Sequence, residues 1–489
     1  MTDPNIGILA YGAYVPQRRL ERSAIYAANQ WFAPDLRGLA KGVKATASWD
    51  EDAITMAVEA GRDALTGIER AVVGSVSLAS TTLPFADRLN SGIVKEALTL
   101  PDTSGASDAT GSQRCGASAL IQALNAAGPG RKPQLCIASD LRKAAPASGD
   151  ELMIGDGAAA MLVGHGEPIA RFLGSHSVTI DFVDHFRSAG VDFDYGWEAR
   201  WIKDEGHTKI GGGALSAALE MHGLAGSDIA HCAIAITARG SGAALAKKAG
   251  IAPEAVIDPL VGEIGDTGAA HSSLMLAAAL ERAKPGEKIL LLDFGQGADV
   301  LLFEAAEALG KLPARTGVAG SVARGRPVEN YMRYLFHRNI LPLERGARAE
   351  LDQKQPSTTL YRARKGVLGL VGGRCTKTGT VQFPKSPISV NPNDHAAHTQ
   401  EDYPLAEVPA KVVTYTADKL TYSPDPPAYY GAVDFEGGGR LTCEFTDLEG
   451  AEVEVGCPMK MVFRIKAVDE LRHNQRYFWK AAPVNEGES

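Results

Sequence analysis

The chain has 489 residues, too many for one compact core, and its 45% hydrophobic content with 53 glycines is that of a turn-rich α/β protein. Acidic residues (58) outnumber basic ones (50), the net charge is −8 and no long basic run occurs, which argues against nucleic acid and anionic membrane as partners. No apolar stretch approaches the ~18 residues a membrane span needs, and the leading MTDPNIGILAYGAYVP is acidic and then strand-like, unlike a secretory signal.

The first predicted strand is IGILAYG (6–12). A helix is predicted over 54–65, with Ile54, Ala57, Val58, Gly61 and Leu65 on one face, and Asp50, Glu51 and Asp52 suit its N-terminus because they complement the helix dipole. A strand follows at 71–80, and its counterpart in a second half is 231–240. DATGSQRCGASALIQAL (108–124) pairs with GDTGAAHSSLMLAAAL (265–280), each a Gly/Thr turn opening an Ala/Leu-rich helix. QLCIAS (134–139) pairs with KILLLDF (288–294) as buried strands, and GDGAAAMLV (155–163) with GQGADVLLF (295–303). This duplication predicts two halves packed as one layered α/β body, in which the two equivalent helix starts share one cleft.

Residues from about 307 to 360 read as a polar, partly helical connector, and from about 361 short β runs (VLGLVGG, VQFP, AKVVTYT, YYGAVDF, GGRLTCEF, EVEVG, MKMVFRI) predict a small barrel of OB type. Six cysteines (115, 136, 232, 375, 443 and 457) are scattered without disulfide-like spacing, so a reducing cytoplasm is expected.

GILAYGAYVPQRRLERSAI (7–25), WDEDAITMAVEAGRDAL (49–65), GSQRCGASAL (111–120) and GDTGAAHSSLML (265–276) together resemble hydroxymethylglutaryl-CoA synthase of the thiolase/ketoacyl synthase superfamily, the prokaryotic branch most. GGRCTKTGTVQFPKSPIS (372–389) and VDFEGGGRLTCEFTD (433–447) resemble the OB-fold, zinc-ribbon domain found with acyl-CoA enzymes. The resemblance implies a duplicated, five-layered thiolase-like body (halves 1–165 and 166–310), a connector (311–360) and an all-β OB-type barrel with a degenerate zinc ribbon (361–489). It also implies an acyl-CoA substrate, with coenzyme A as part of that substrate and no covalently bound cofactor, and a homodimer. A thiolase-like partner subunit is a further expectation.

The family works with a Cys nucleophile at a buried helix start, a Glu acid/base and a His. Anchored on Gly116, the Cys position falls on Gln113; the Glu position falls on Val76; the His position falls within 235–238, which holds no His. The family's Asn/Asp position is kept as Asp266. Cys115 lies about 200° around a helix from position 113 and reads as a small buried residue.

An amide is no nucleophile, but Gln113 offers an NH₂ donor beside helix-start amides, suited to an enolate or tetrahedral oxyanion. Asp266 reads equally as a helix cap. His271, one turn inside the second helix, reads either as a packed residue or as a neutral base aided by Asp266. Arg114, Arg200, Lys203 and Lys209 are candidates for binding the substrate, and Phe85 with Leu83 for shaping an acyl pocket. The GGGALS run (211–216) could cradle a phosphate at a helix start. His185 and His207 read as solvated loop residues.

The favoured expectation is cleavage of a β-ketoacyl-CoA by water, a retro-Claisen reaction giving a free acid and acetyl-CoA. The alternatives are a thioester decarboxylase, a Claisen-type synthase or acyltransferase using Cys115, and a non-catalytic CoA-binding scaffold subunit. In the ribbon, Cys375 stands with Thr378, Ser389 and Asp394 at the matching positions, which is not a structural zinc set. Asp394, His395 and His398 offer only an adventitious site. Protein purified without added metal should therefore carry no stoichiometric zinc by elemental analysis; a zinc signal that a chelator removes would contradict this.

Overall fold

A computed structural model describes residues 3–484; the first two residues of the leading segment and the last five of the tail lie outside the described residues. Backbone contacts divide the chain into two units, one of residues 1–47, 52–92 and 101–331 and one of 48–51, 93–100 and 332–489.

The first unit is built on nine strands: β1 (Ile6–Tyr14), β2 (Ser75–Ala79), β3 (Gly105–Ala109), β4 (Gln134–Asp140), β5 (Gly157–His165), β6 (Ala170–Thr179), β7 (Ile229–Ala235), β8 (Lys288–Phe294) and β9 (Gly297–Ala305). Their order is β7-β8-β9-β6-β1-β5-β4-β2-β3. From the seam between β1 and β6 the pairing repeats outward. On one side β1–β5 and β5–β4 are antiparallel and β4–β2 is parallel. On the other, β6–β9 and β9–β8 are antiparallel and β8–β7 is parallel. The seam itself rests on two residue pairs, Gly7 with Arg171 and Ile8 with Ala170.

Helix α1 (Ala53–Ala64) covers β1, β4 and β5, while α3 (Gly212–Met221) covers β6 and β9. Between the halves lie α2 (Cys115–Ala126) and α4 (His271–Arg282), in contact with each other and with strands of both halves. The result is five layers. Because both faces of each sheet half are covered, the central strands are apolar throughout rather than alternating: every residue of β8 after Lys288 is buried.

Helix α1 begins one residue earlier than its pattern suggests, and only one of the three acidic residues before it serves its N-terminus. Asp52 accepts from the Thr55 amide at 2.8 Å, and the Thr55 hydroxyl accepts from the Asp52 amide at 2.8 Å, a reciprocal cap. Asp50 and Glu51 belong to the other unit. The strand expected at 71–80 is shortened to β2, because Arg70–Val72 form a 3₁₀ turn. His271 opens the α-helix itself, behind a 3₁₀ turn at Gly268–Ala270, rather than lying a turn inside it.

In the second unit, a five-stranded antiparallel sheet runs in the order Arg440–Glu444, Ala428–Phe435, Ala410–Asp418, Pro458–Asp469, Asn474–Pro483. A three-stranded sheet of Val381–Gln382, Val371–Cys375 and Gln400–Pro404 accompanies it. Two expected strands differ. Residues 364–369 are helical until Leu370 takes a left-handed conformation, so the first β run starts only at Val371. EVEVG (452–456) forms no strand: Val455 is exposed and Gly456 turns at φ +91°.

The core of this unit holds charge. Lys480 Nζ lies 3.0 Å from Asp50 and 3.3 Å from Glu444, with the Trp49 ring 4.2 Å away. Arg464, fully buried, meets Asp447 at 2.9 Å and Glu51 at 3.5 Å. Burial alone would raise the Asp50 carboxyl, yet Lys480 and Arg464 hold it well below the usual carboxylate range. Removing one partner of a buried pair strands the other charge, at a cost of roughly 3–5 kcal/mol. Lys480→Met should therefore lower the denaturant-unfolding free energy of this unit by about that amount, and Asp50→Asn in the same chain should recover much of it.

Candidate active site

The two central helices start against one another. A Cβ added at Gly116 in α2 would lie 2.6 Å from the Ala269 carbonyl oxygen, so only glycine permits this approach. Asp140, at the end of β4, ties the same region together. Its carboxylate accepts from the hydroxyls of Ser80, Thr81 and Thr82 at 2.9 Å each and from the Ala269 amide at 2.8 Å.

Gln113 stands in the turn before α2. This turn is propped by the β8–β9 hairpin: the Ser112 hydroxyl and the Arg114 Nε both donate to the Gly295 carbonyl, at 3.0 and 2.8 Å. A side chain at position 295 would collide with Ser112, hence the first glycine of GQG. So held, Gln113 Nε2 lies 2.9 Å from His185 Nε2. His185 Nδ1 in turn lies 3.1 Å from the Asp184 carboxylate. Burial lowers the His185 pKa, but the hydrogen bond and charge of Asp184 outweigh it and leave the group above its ordinary value.

A second cluster adjoins. Arg142, two residues beyond β4, pairs with Asp266 at 2.9 Å and approaches Asp194 at 3.7 Å. Asp266 also accepts from the Gly268 amide at 2.9 Å and from the Thr237 hydroxyl at 3.0 Å. Burial, which alone would raise it, is overcome chiefly by Arg142, so Asp266 stays ionised far below the carboxylate norm. His271 is buried, which lowers its pKa, and its Nδ1 faces the Thr267 amide at 3.3 Å and hydroxyl at 3.2 Å. An amide N–H can only donate, so Nδ1 is the acceptor and the neutral ring carries its proton on Nε2.

Cys115, the first residue of α2, is buried; burial and the carboxylates of Asp140 and Asp293 push its thiol far up, so it stays protonated. Arg114 is engaged internally, pairing with Asp299 at 2.8 Å and donating to Thr179 at 2.7 Å. Phe85 is half-buried under the Arg88 guanidinium, 4.5 Å from its ring centroid, and Leu83 is half-buried. Arg200, Lys203 and Lys209 have exposed head groups in and just before an unusual π-helix, Ile202–Gly211; Lys209 pairs with Glu205 at 2.5 Å. The GGGALS run is no free helix start, because α3 continues from the π-helix and the Gly212 amide donates to His207.

Two histidines read as solvated loop residues are placed otherwise. His185 is the partner of Gln113, and His207 is buried, its ring edge-on to Phe294 at 5.1 Å. Arg142, Asp184 and Asp194 were not singled out from sequence at all. Asp140–Arg142 at the carboxyl end of a strand, and an Asp immediately before His185, were the available signals. Among the described residues no group of three or more His, Cys, Asp or Glu is placed to hold a metal ion; Cys375 Sγ instead lies 3.1 Å from the Thr399 hydroxyl.

Residues 219–301 match the 3-oxoacyl-[acyl-carrier-protein] synthase III C-terminal family and residues 404–464 the C-terminal OB-fold domain of ChsH2. The hydroxymethylglutaryl-CoA synthase of Archaeoglobus fulgidus is 30% identical over 344 residues, covering 68% of this chain and 98% of that protein. The chain belongs to the hydroxymethylglutaryl-CoA synthase family. The corresponding synthase of Methanosarcina mazei is 28% identical over 352 residues, 69% of this chain and 99% of that protein. Two solved structures share the fold: PksG, an HMG-CoA synthase from Bacillus subtilis (TM-score 0.60, 15% identity, 71% and 95% of the two chains), and MvaS in complex with 3-hydroxy-3-methylglutaryl coenzyme A (TM-score 0.56, 19% identity, 70% and 93%). Relatives in this superfamily are acyl-CoA condensing enzymes, and the chain is an enzyme of the same superfamily, one that forms or cleaves a carbon–carbon bond of an acyl-CoA.

Asp293 and Asp299 face each other across the β8–β9 hairpin. Burial, with the Asp299 charge adding, raises Asp293 to about 8, so the folded protein keeps a proton that the unfolded chain gives up at an ordinary carboxylate pH. Stability from this site is full below the unfolded value and falls as pH rises towards 8. Asp293→Asn should flatten that decline in thermal melts taken between pH 5 and about 8.

Proposed function

We propose that this enzyme cleaves a β-ketoacyl-CoA with water, a retro-Claisen reaction that yields a free acid and acetyl-CoA. The acyl-CoA class comes from the relatives, the hydroxymethylglutaryl-CoA synthases, and from fold neighbours bound to 3-hydroxy-3-methylglutaryl coenzyme A or to CoA. One observation carries the reaction type: at the helix start where anchoring on Gly116 puts the family's Cys, Gln113 presents an amide, held in place by the Gly295 turn. An amide cannot take an acyl group, so the nucleophile must come from elsewhere, and water is the simplest.

In this reading water adds to the keto carbon, the C2–C3 bond breaks, and the electron pair passes to C2 as the enolate of acetyl-CoA. The Gln113 NH₂ and the amides of the α2 start hold the thioester oxygen while it carries negative charge. The nearest thiol, Cys115, is protonated and buried, which disfavours the synthase reading. Asp266 and His271, expected from sequence to activate the water, are better read as frame. Asp266 is committed to Arg142, Gly268 and Thr237, and the His271 Nδ1 lone pair to Thr267. The exposed heads of Arg200, Lys203 and Lys209 remain our candidates for the CoA phosphates, and Phe85 for the acyl wall. Arg114, held by Asp299, positions the Gln113 turn. We read the protein as a cytoplasmic homodimer that uses no bound cofactor.

Incubation with a panel of β-ketoacyl-CoAs in H₂¹⁸O should give acetyl-CoA and a free acid carrying one ¹⁸O, read by mass spectrometry. Gln113→Ala should lower kcat on the order of 10²–10³-fold, the usual loss for one oxyanion donor, while Cys115→Ala should leave it nearly unchanged. No turnover of any member, aromatic ones included, would sink the reading.

A further inference from the structure

We propose that His185, oriented by Asp184, is the acid–base group of this site, taking the proton from the attacking water at Nε2 and returning it to C2 of the departing acetyl-CoA enolate. The proposal rests on the reading of Gln113 as the oxyanion holder.

The geometry begins with the excursion between β6 and the π-helix. Its chain folds into a two-stranded ribbon, His185–Phe186 against Tyr195–Gly196. Alternation along a strand sends neighbouring side chains to opposite faces. His185 accordingly reaches Gln113, while Phe186 turns away to pack on Tyr195, with ring centroids 5.5 Å apart. Basic side chains bind the ribbon down on the strand ends around Asp140: Arg187 donates to the Thr81 carbonyl, Lys143 meets Asp192 at 3.3 Å, and Arg142 approaches Asp194 at 3.7 Å. His185 is thus seated on the helix start rather than carried on a free loop.

Its two nitrogens are differentiated. A carboxylate only accepts, so the Asp184 contact places the proton on Nδ1 and leaves the Nε2 lone pair facing Gln113. That is the tautomer a base requires, beside the donor that would steady the negative charge. The His185 lone pair accepts from a side chain, Gln113, whose place an incoming water can take, whereas that of His271 accepts from the backbone amide of Thr267.

The proton balance closes. Water loses one hydrogen to Nε2 as its oxygen bonds to the keto carbon. Cleavage sends the electron pair to C2, and Nε2–H transfers that hydrogen there, regenerating neutral imidazole. The charged groups around His185 are Asp184, Asp194, Asp150 and Arg142, and Asp184 also acts on His207. Of these, the Asp184 contact is the strongest influence favouring the protonated ring.

The return step runs backwards as removal of an α-hydrogen from acetyl-CoA, so it can be measured without the cleavage reaction. Wild-type protein in D₂O should exchange the acetyl methyl hydrogens of acetyl-CoA, followed by NMR. His185→Gln should slow this by 10²-fold or more, within the usual range for a lost acid–base group. Asp184→Asn should shift the acidic limb of the pH–exchange profile to lower pH, a change that a purely structural role would not produce. Circular dichroism and CoA binding of each variant control for folding.

Exchange absent from the wild type, or equal in wild type and His185→Gln, overturns the proposal. An unmoved limb in Asp184→Asn overturns the role of Asp184. Exchange that depends on His185 with no cleavage of any β-ketoacyl-CoA would leave His185 standing and remove the cleavage reading instead.

Discussion

The rest of the first unit depends on the near-contact between two helix starts. Gly116 has no side chain, and the Ala269 carbonyl occupies the space one would fill. The duplicated halves can therefore close until the turn carrying Gln113 and the turn carrying Asp266 frame the same region. Asp140 fixes that closure, because one carboxylate accepts from a serine, two threonines and the amide of Ala269 across the joint. A buried carboxylate with that many donors is fully satisfied, and such a network gives one arrangement rather than several.

Around this joint charge is used in two ways. At the Arg142–Asp266 pair it is neutralised locally, which keeps Asp266 ionised without making it available to a substrate proton. At Asp293 and Asp299 two carboxylates share a buried hairpin with one guanidinium, Arg114, so one of them retains a proton instead. The second arrangement costs stability at neutral and alkaline pH, but it anchors Arg114 and thereby the turn that presents Gln113.

Much of the fold was legible in the residues. The paired GxGA turns, the two Ala/Leu helices and the two apolar strands are local patterns, and each half repeats them, so errors in one half are checked by the other. The site was less legible because its contacts are long-range. Gln113 and its neighbours stood out through the motif they sit in, whereas His185 lies in text that reads as a polar loop and meets Gln113 only through a ribbon folded back from the end of β6. Asp50 and Glu51 misled for the opposite reason. They satisfy a local rule for helix N-termini, yet both side chains turn into the core of the other unit, Asp50 to Lys480 at 3.0 Å and Glu51 towards Arg464 at 3.5 Å, contacts between residues hundreds of positions apart that no local rule shows. His207 was hidden by its setting in a π-helix, a form too rare to anticipate from pattern.

In the proposed reaction an amide and a histidine on a ribbon take the place of a thiol, and the reason follows from where negative charge must sit. A thiolate at a helix start is useful when it attacks, and it needs surroundings that stabilise its charge before substrate arrives. Here the interior behind that helix start already holds Asp140 and Asp293, and Cys115 shows the consequence: burial and these carboxylates keep its proton on. An enolate oxygen makes a different demand, because its charge appears only during reaction and needs a neutral donor that asks nothing of the resting protein. Gln113 meets that demand without titrating. In the proposal the mobile proton is handled by His185, whose imidazole is oriented by Asp184. The separation of a neutral anion-holder from a tunable base is the arrangement that this charge distribution favours.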